Sequence, residues 1–277
     1  MGRMRSIQPV VTKVIAICLA TLALSGCTSC NDQRPRTEDR RVDPSATATS
    51  PEGGDASAAT TTTAVIREDG RVYTPQTFSF AVTKTDVWIE DAKMGTALDE
   101  LLATSGATLA INGGFFDTNE KPLGLAVSQK KTISVFSKTM SGGVLTIDDA
   151  NATVSATEEY QPDAHADARF AVQCRPRLVV DGKINIKRDD GKRSARTALC
   201  VKDNGKTLNV VLARDVSDPS FGPSLYALAT YLAADGCDSA LNLDGGPSTG
   251  AAWRDASGAH VEKPVGGIRH AILFRPL

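Results

Sequence analysis

Aromatic residues make up only 5% of this 277-residue chain, and its formal net charge is −1. The first scarcity argues against a stacking platform for single strands or long glycans. The second argues against the bulk positive field that draws a protein to nucleic acid. Histidine occurs three times, at His165, His260 and His270. The three are scattered and read as surface or hydrogen-bonded side chains. Neither a His-Glu-x-x-His nor an Asp-x-Asp-x-Asp-Gly pattern is present, so no motif requires a metal or other cofactor. After the N-terminal region there is no second long apolar run, and the remainder is expected to be soluble outside the cytoplasm.

What is present at the N-terminus reads as an address. Arg3, Arg5 and Lys13 precede an uncharged, mostly apolar stretch at 14–24, too short to span a bilayer as a mature helix and suited to a secretory signal. It runs into Leu24-Ser25-Gly26-Cys27, which resembles a bacterial lipobox. On this reading 1–26 is a lipoprotein signal peptide and Cys27 is the lipidation site; the alternative is an ordinary cleaved signal with an incidental cysteine. Thr28, where an Asp would resemble an inner-membrane retention signal, leans toward lipid anchoring in the outer membrane, facing the periplasm. Residues 27–63, rich in Thr, Ser, Ala, Pro, Asp and Arg, cannot bury enough apolar surface to offset their ordering entropy and read as a disordered tether. Residues 64–277 are long enough for one domain with a sizeable core. Of the six cysteines, Cys18 lies in the signal and Cys30 in the tether. Cys174, Cys200 and Cys237 lie in the domain; an oxidising compartment favours pairing, but the choice among them, with Cys30 as a fourth candidate, stays open. A buried or bridged role is favoured over a nucleophilic one.

Short runs mixing β-branched, aromatic and polar residues predict strands at 72–73, 77–82, 87–89, 108–111, 123–127, 133–136, 144–147, 178–180, 183–186, 198–201, 208–213, 240–243 and 271–274. Asp181-Gly182 and 203–206 are expected to turn two hairpins, and 159–168 reads as a loop. Helices are predicted at 96–104, ended by Gly106, and at 223–234, where Pro223 opens the helix, Leu225, Leu228, Ala229 and Leu232 share a face, and Gly236 closes it. Many strands with two widely spaced helices indicate an α+β domain built on mixed or antiparallel sheets.

Two loops stand out. Ala110-Ile111-Asn112-Gly113-Gly114-Phe115-Phe116-Asp117 and Ala240-Leu241-Asn242-Leu243-Asp244-Gly245-Gly246-Pro247-Ser248-Thr249-Gly250 each end an apolar run in paired glycines with an acid nearby. Glycines at a strand end allow close approach of backbone to a ligand. Together with Arg196, Thr197 and Asp215 these loops hold the residues suited to chemistry. The four segments Asn112-Gly113-Gly114-Phe115-Phe116-Asp117, Pro176-Arg177-Leu178-Val179-Val180-Asp181-Gly182, Arg196-Thr197-Ala198 and Asn242 to Thr249, in that order, are similar to the phosphodiester glycosidase family. The resemblance runs from about residue 64 to the end. Two departures are visible: relatives often carry Gly-Pro where this chain has Arg175-Pro176, and a third glycine where it has Pro247, which removes one N–H.

The resemblance implies hydrolysis of the bond between a sugar's anomeric carbon and a phosphate oxygen, as in a GlcNAc-1-phosphodiester. Arg196 suits the phosphate, because a guanidinium makes two parallel charge-assisted hydrogen bonds that lysine cannot; Arg193, Arg175 and Arg177 are near it in sequence. The alternative for Arg196 is an ion pair with Asp215 or Asp244. Cleavage at an anomeric carbon commonly uses two carboxyl groups. Asp244 is assigned as base or nucleophile and Asp117 as the second carboxylate. Asn112 is expected to meet a sugar hydroxyl or N-acetyl group; Gly113, Gly114, Thr197, Gly245, Gly246, Ser248 and Thr249 are expected to line the substrate site, the last two binding phosphate through hydroxyls and backbone N–H groups. Asp117, Asp215 and Asp244 are also the acids able to hold Ca²⁺ or Mg²⁺. The partners expected are a sugar-phosphate diester or envelope glycan and the membrane, not nucleic acid. Two other readings compete: a non-catalytic lipoprotein that binds envelope glycan or phosphate, and a metal-dependent phosphodiesterase that cleaves the P–O bond.

Overall fold

Alternation along one strand accounts for the layering. In Arg196–Lys202, Leu199 and Val201 enter one apolar cluster while Ala198 and Cys200 enter another on the opposite face. Successive side chains of a strand point to opposite faces, so a strand apolar at every position must be covered on both sides. The strands Leu109–Asn112 and His270–Pro276 behave likewise: Ile111, Ile272 and Phe274 face the first cluster, Ala110, Ala271 and Leu273 a third.

A computed structural model describes residues 64–92 and 96–277; the signal, the tether, Cys27 and Cys30 lie outside the described residues. Its architecture is α+β, with three antiparallel sheets, a two-stranded ribbon and two α-helices. The largest sheet orders its strands Lys183–Ile184, Arg177–Val180, Ser239–Asn242, Arg196–Lys202, Thr207–Ala213 and Gln76–Ala81. A second runs Gly258–Glu262, Ala251–Asp255, Leu109–Asn112, His270–Pro276 and Thr85–Asp91. The third runs Lys131–Ser134, Ala126–Ser128, Phe170–Cys174, Gly143–Ile147 and Ala152–Ala156. All three contribute to one central core, where Phe78, Ile111, Leu145, Phe170, Leu199 and Phe274 meet.

The helices seal the outer faces of the first two sheets. Leu225–Ala234 lays Leu228 and Leu232 on Leu178, Ala198, Val211 and Ala240; burying each leucine contributes roughly 1.5–3 kcal/mol. This helix starts after Pro223 because Ser224 is its cap: Ser224 Oγ accepts from the Ala227 N–H at 3.0 Å and satisfies one of the unpaired first-turn donors. Leu98–Ser105 packs Leu98 and Leu102 against Trp88, Ala110 and Leu273, and ends at Gly106 in the left-handed region. Asp181 and Gly182, both at positive φ, turn the hairpin between 180 and 183.

Beneath the longer helix Cys200 and Cys237 form a disulfide, with a Cα–Cα distance of 5.7 Å. It closes a segment of sequence separation 37 that contains the hairpin strand Thr207–Ala213 and the helix. Cys174 is a free, buried thiol. In the chain-entropy account a loop of that length confers about 3–4 kcal/mol. The Cys200→Ala/Cys237→Ala chain should therefore unfold at lower urea concentration than the oxidised protein by about that free energy, and reduction should produce a loss of the same order.

Candidate active site

Asn112 ends the strand Leu109–Asn112 and is 1% exposed. Its carboxamide is fully engaged inside the protein. Nδ2 donates to the Asp244 carbonyl at 2.9 Å and to the Gly113 carbonyl at 3.3 Å. Oδ1 accepts from Thr197 Oγ1 at 2.7 Å and from the Gly250 N–H at 3.3 Å. A carboxamide has two donors and two acceptor lone pairs, so nothing is left for a sugar. Asn112 and Thr197 tie the second sheet to the first and hold the backbone of Asp244 from behind. Gly113 and Gly114 are occupied in the same way: their N–H groups donate to the His270 carbonyl and to His270 Nε2, each at 2.9 Å. A Cβ on Gly113 would lie 2.2 Å from the His270 ring, which is why a glycine stands there. Burial depresses the His270 pKa to about 4, and the neutral ring accepts through Nε2.

The last loop is equally closed in its backbone. The Gly245 N–H donates to Asp244 Oδ1 at 2.8 Å and the Gly246 N–H to the Ala195 carbonyl at 2.7 Å. The N–H groups of Ser248 and Thr249 donate to the carbonyls of Gly245 and Gly246 at 3.3 and 3.1 Å, and Pro247 has none. Ser248 and Thr249 are buried, and Ser248 Oγ reaches the Gly267 carbonyl at 3.3 Å. The loop therefore offers no unpaired N–H along 245–250, and an anion here could be met only by side chains.

Those side chains line a cleft of about 1150 Å³ at one end of the largest sheet. Asp244, Arg196, Gly245 and Gly246 form part of its wall together with Phe115, Arg175, Arg177, Lys187, Ser194 and Glu158. Arg196 is partly buried, and its Nε donates to the Pro223 carbonyl at 3.1 Å. Among the described residues it has no ion pair, with Asp215, Asp244 or any other acid. Desolvation lowers its pKa, an effect only partly opposed by distant acids. Desolvation also raises the Asp244 pKa, against the hydrogen bond from the Gly245 N–H. An unpaired cation and an unpaired carboxylate thus share one partly desolvated hollow, the pattern expected where charge is to be met by a ligand.

Other expected residues lie elsewhere. Asp117 is not in the cleft wall: its Oδ1 accepts from the N–H groups of Asn119 and Lys121 at 2.8 and 2.9 Å, and the Lys121 contact in particular lowers its pKa. That is a turn-capping role for this residue type. Asp215 accepts from Ser217 and pairs with Arg71 at 2.9 Å, and its pKa falls to about 2 with the Ser217 hydroxyl as the main cause. Asp117, Asp215 and Asp244 are consequently not gathered, and among the described residues no three His, Cys, Asp or Glu side chains cluster as a metal site. Arg193 is tied to Glu68, Asp69 and Asp189. The Cys174 thiol is pushed up to about 12 by burial, so it is no nucleophile. The second carboxylate of the cleft is Glu158, within a Glu158-Glu159 pair just after the strand Ala152–Ala156. Nothing in its sequence neighbourhood marks it except a carboxylate next to a strand end.

This scaffold makes two stability effects measurable. Asn112→Ala strands the Thr197 hydroxyl and the Gly250 N–H; leaving buried groups unsatisfied costs about 1–3 kcal/mol each, and urea unfolding should show a loss of about 3 kcal/mol or more. For His270, the unfolded imidazole titrates near 6.5 and the folded one at about 4. Between those values the unfolded chain binds a proton that the folded chain does not, so stability should fall as pH drops through that window and stay level above it. Unfolding midpoints of His270→Gln across the same pH range should show a shallower decline.

Known proteins share this fold. The profile of the phosphodiester glycosidase family matches residues 105–273, more than half of the chain. Among solved structures, a hypothetical protein from Synechocystis superposes with a TM-score of 0.60 at 16% identity, over 77% of this chain and 61% of that one. This chain thus corresponds to about three fifths of the Synechocystis protein. The catalytic domain of zebrafish N-acetylglucosamine-1-phosphodiester alpha-N-acetylglucosaminidase, auto-inhibited by its pro-peptide, gives a TM-score of 0.60 at 16% identity over 77% and 81% of the two chains. A putative exported protein from Burkholderia pseudomallei gives 0.53 at 14% identity over 74% of each. At these identities the structures share the fold. No curated protein matches the chain in sequence. With the profile covering both glycine loops, the arginine strand and the cleft between them, the chain belongs to the phosphodiester glycosidase family.

Proposed function

We propose that this protein is a lipid-anchored envelope hydrolase, attached through Cys27 and facing the periplasm. It cleaves the glycosidic bond of a sugar-phosphate diester of the GlcNAc-1-phosphate kind. The observation that carries the reading is the partly buried Arg196 without an ion pair in the same cleft as the partly buried Asp244. The guanidinium is anchored through Nε, which leaves its terminal nitrogens to grip two phosphate oxygens. As the anomeric C–O bond breaks, negative charge grows on the phosphate that leaves and positive charge on the sugar ring. Arg196 stabilises the first and the Asp244 carboxylate the second. Asp244 attacks the anomeric carbon or takes a proton from the attacking water. Glu158 is the second carboxyl group of the cleft, and a phosphate monoester needs less protonation to depart than a sugar alkoxide does. Glycine at 245 keeps the approach open and fits beneath Ala195, whose carbonyl would lie 2.8 Å from a Cβ there. The similarity to the zebrafish domain supports the substrate class.

The test is turnover of a GlcNAc α-phosphodiester by the full chain. Free sugar is the expected product; release of a sugar phosphate means P–O cleavage, and tight binding without turnover means a glycan-binding lipoprotein. Asp244→Asn should lower kcat by about a hundredfold or more while its unfolding curve stays close to that of the parent. Arg196→Lys, which keeps the charge but loses the fork, should lose much of kcat/KM. Asp117→Asn, outside the cleft, should retain activity within a fewfold. Because Asp244 acts ionised and burial raises its pKa, the acid limb of kcat/KM should fall at a higher pH than an ordinary aspartate, near 3.8, would give.

A further inference from the structure

The cleft holds more positive charge than one phosphodiester requires. Arg175, Arg177, Lys187 and Arg196 line it against two acids, Asp244 and Glu158. Among the described residues none of these six forms an ion pair. The strand order places the cations in two groups. Asp244 follows the strand Ser239–Asn242, which lies between Arg196–Lys202 on one side and Arg177–Val180 on the other. Arg196 pairs across from Ala213 at the start of its strand, and Ala198 pairs with Asn242, so Arg196 stands at the Asp244 end. Arg177 pairs with Leu241, and the Asn242 N–H donates to the Pro176 carbonyl at 3.0 Å, which brings Arg175 and Arg177 to the same end. The chain leaving Lys183–Ile184 returns there too: Asn185 Nδ2 donates to the Arg177 carbonyl at 2.9 Å, and Lys187 lies two residues on. Neighbouring strands lie about 4.8 Å apart, so the Arg196 strand and the Arg177 strand are separated by about 10 Å, with Asp244 between and the Lys187 segment farther out.

We propose that the cleft takes a substrate with a phosphate on each side of the sugar it cleaves, an internal unit of a glycan whose sugars are joined by phosphodiesters. The Arg196 side holds the phosphate on the anomeric carbon. Arg175, Arg177 and Lys187 hold a second phosphate, attached to a hydroxyl elsewhere on the same ring, and Asp244 faces the ring between them. The Arg175 guanidinium, 5.8 Å above the Phe115 ring, is held by that ring and not by an acid, so its charge stays available to the ligand. A chain of such units, being a polyanion, would be drawn in by the cation excess, whereas a neutral glycan would not. This inference rests on the hydrolase reading for the roles of Arg196 and Asp244, and it is tested by binding alone.

The wild-type full chain is titrated calorimetrically with two non-hydrolysable C-glycosyl phosphonates of GlcNAc, one with the anomeric phosphonate only and one with an added phosphate on the 6-hydroxyl. The ligand that carries both groups should bind about tenfold or more tighter at low ionic strength, and the gap should narrow as salt rises. Lys187 is exposed, so Lys187→Gln is expected to fold, and it should shrink the affinity ratio while Lys187→Arg restores it. Equal affinities for the two ligands, or a ratio that survives both Lys187→Gln and Arg175→Gln, overturn the proposal. If the ratio holds but no diester is ever cleaved, the hydrolase reading falls and the two-phosphate site stands. If a simple diester is cleaved but the ratio is one, the two-phosphate site falls and the hydrolase reading stands.

Discussion

The carboxamide of Asn112 is the joint on which the site depends. It sits at the end of a strand in one sheet, accepts a hydrogen bond from the Thr197 hydroxyl in another, and grips the backbone of the loop that bears Asp244. Both sheets are held by a common apolar core, but apolar packing is not directional and would allow the strand ends to slide or splay. Four hydrogen bonds in fixed directions from one buried group remove that freedom. Their strength comes from the same burial that would penalise any one left unmade. A carboxylate in place of the carboxamide could accept from Thr197 and Gly250 but could not donate to the carbonyls of Gly113 and Asp244.

The consequence for chemistry is a division of labour. The N–H groups of the glycine loops are used internally. They therefore do not act as an anion nest, and Pro247 fits that arrangement, since the N–H it lacks has no role to fill. The glycines serve close packing instead, against His270 at 113 and Ala195 at 245. In the proposed function, charge recognition would pass to the arginines and the lysine that line the cleft at the sheet end.

Much of this was legible from residue pattern. Strands apolar at every position, such as 198–201 and 271–274, announce coverage on both faces, and the paired glycines with Asn112 and Asp244 mark where two strands end together. The strands Ala152–Ala156, Ala251–Asp255 and Gly258–Glu262 were not expected, because alanine, serine and charged residues carry weak strand preference and tertiary pairing overrides it. Phe170–Cys174 is buried at every residue, so it lacks the alternation that would have identified it. The choice between Asp117 and Glu158 is not a property of local sequence at all. An Asp two residues before an Asn and four before a Lys can cap its own turn or face a cleft, and only the packing of the third sheet brings Glu158 to the wall. The pairing of Cys200 with Cys237 likewise depends on the helix being laid across the sheet.

Arg196 and Asp244 share a wall yet do not pair, and the reason lies in how each is tethered. Arg196 Nε is drawn to the Pro223 carbonyl, just before the capped helix. Asp244 Oδ1 is drawn back to the N–H of its own neighbour, Gly245. The desolvation of each charge is offset only in part, as the opposite pKa directions of the two groups record. Were they to form a salt bridge, the guanidinium would already have its anion and the carboxylate would be a weaker base. Holding them apart leaves an electrostatic demand in the cleft that, in the proposed function, a bound phosphate would meet on the arginine side. On the aspartate side the proposed reaction would meet it only as positive charge develops at the anomeric carbon, which would place that interaction in the transition state, where it counts toward rate.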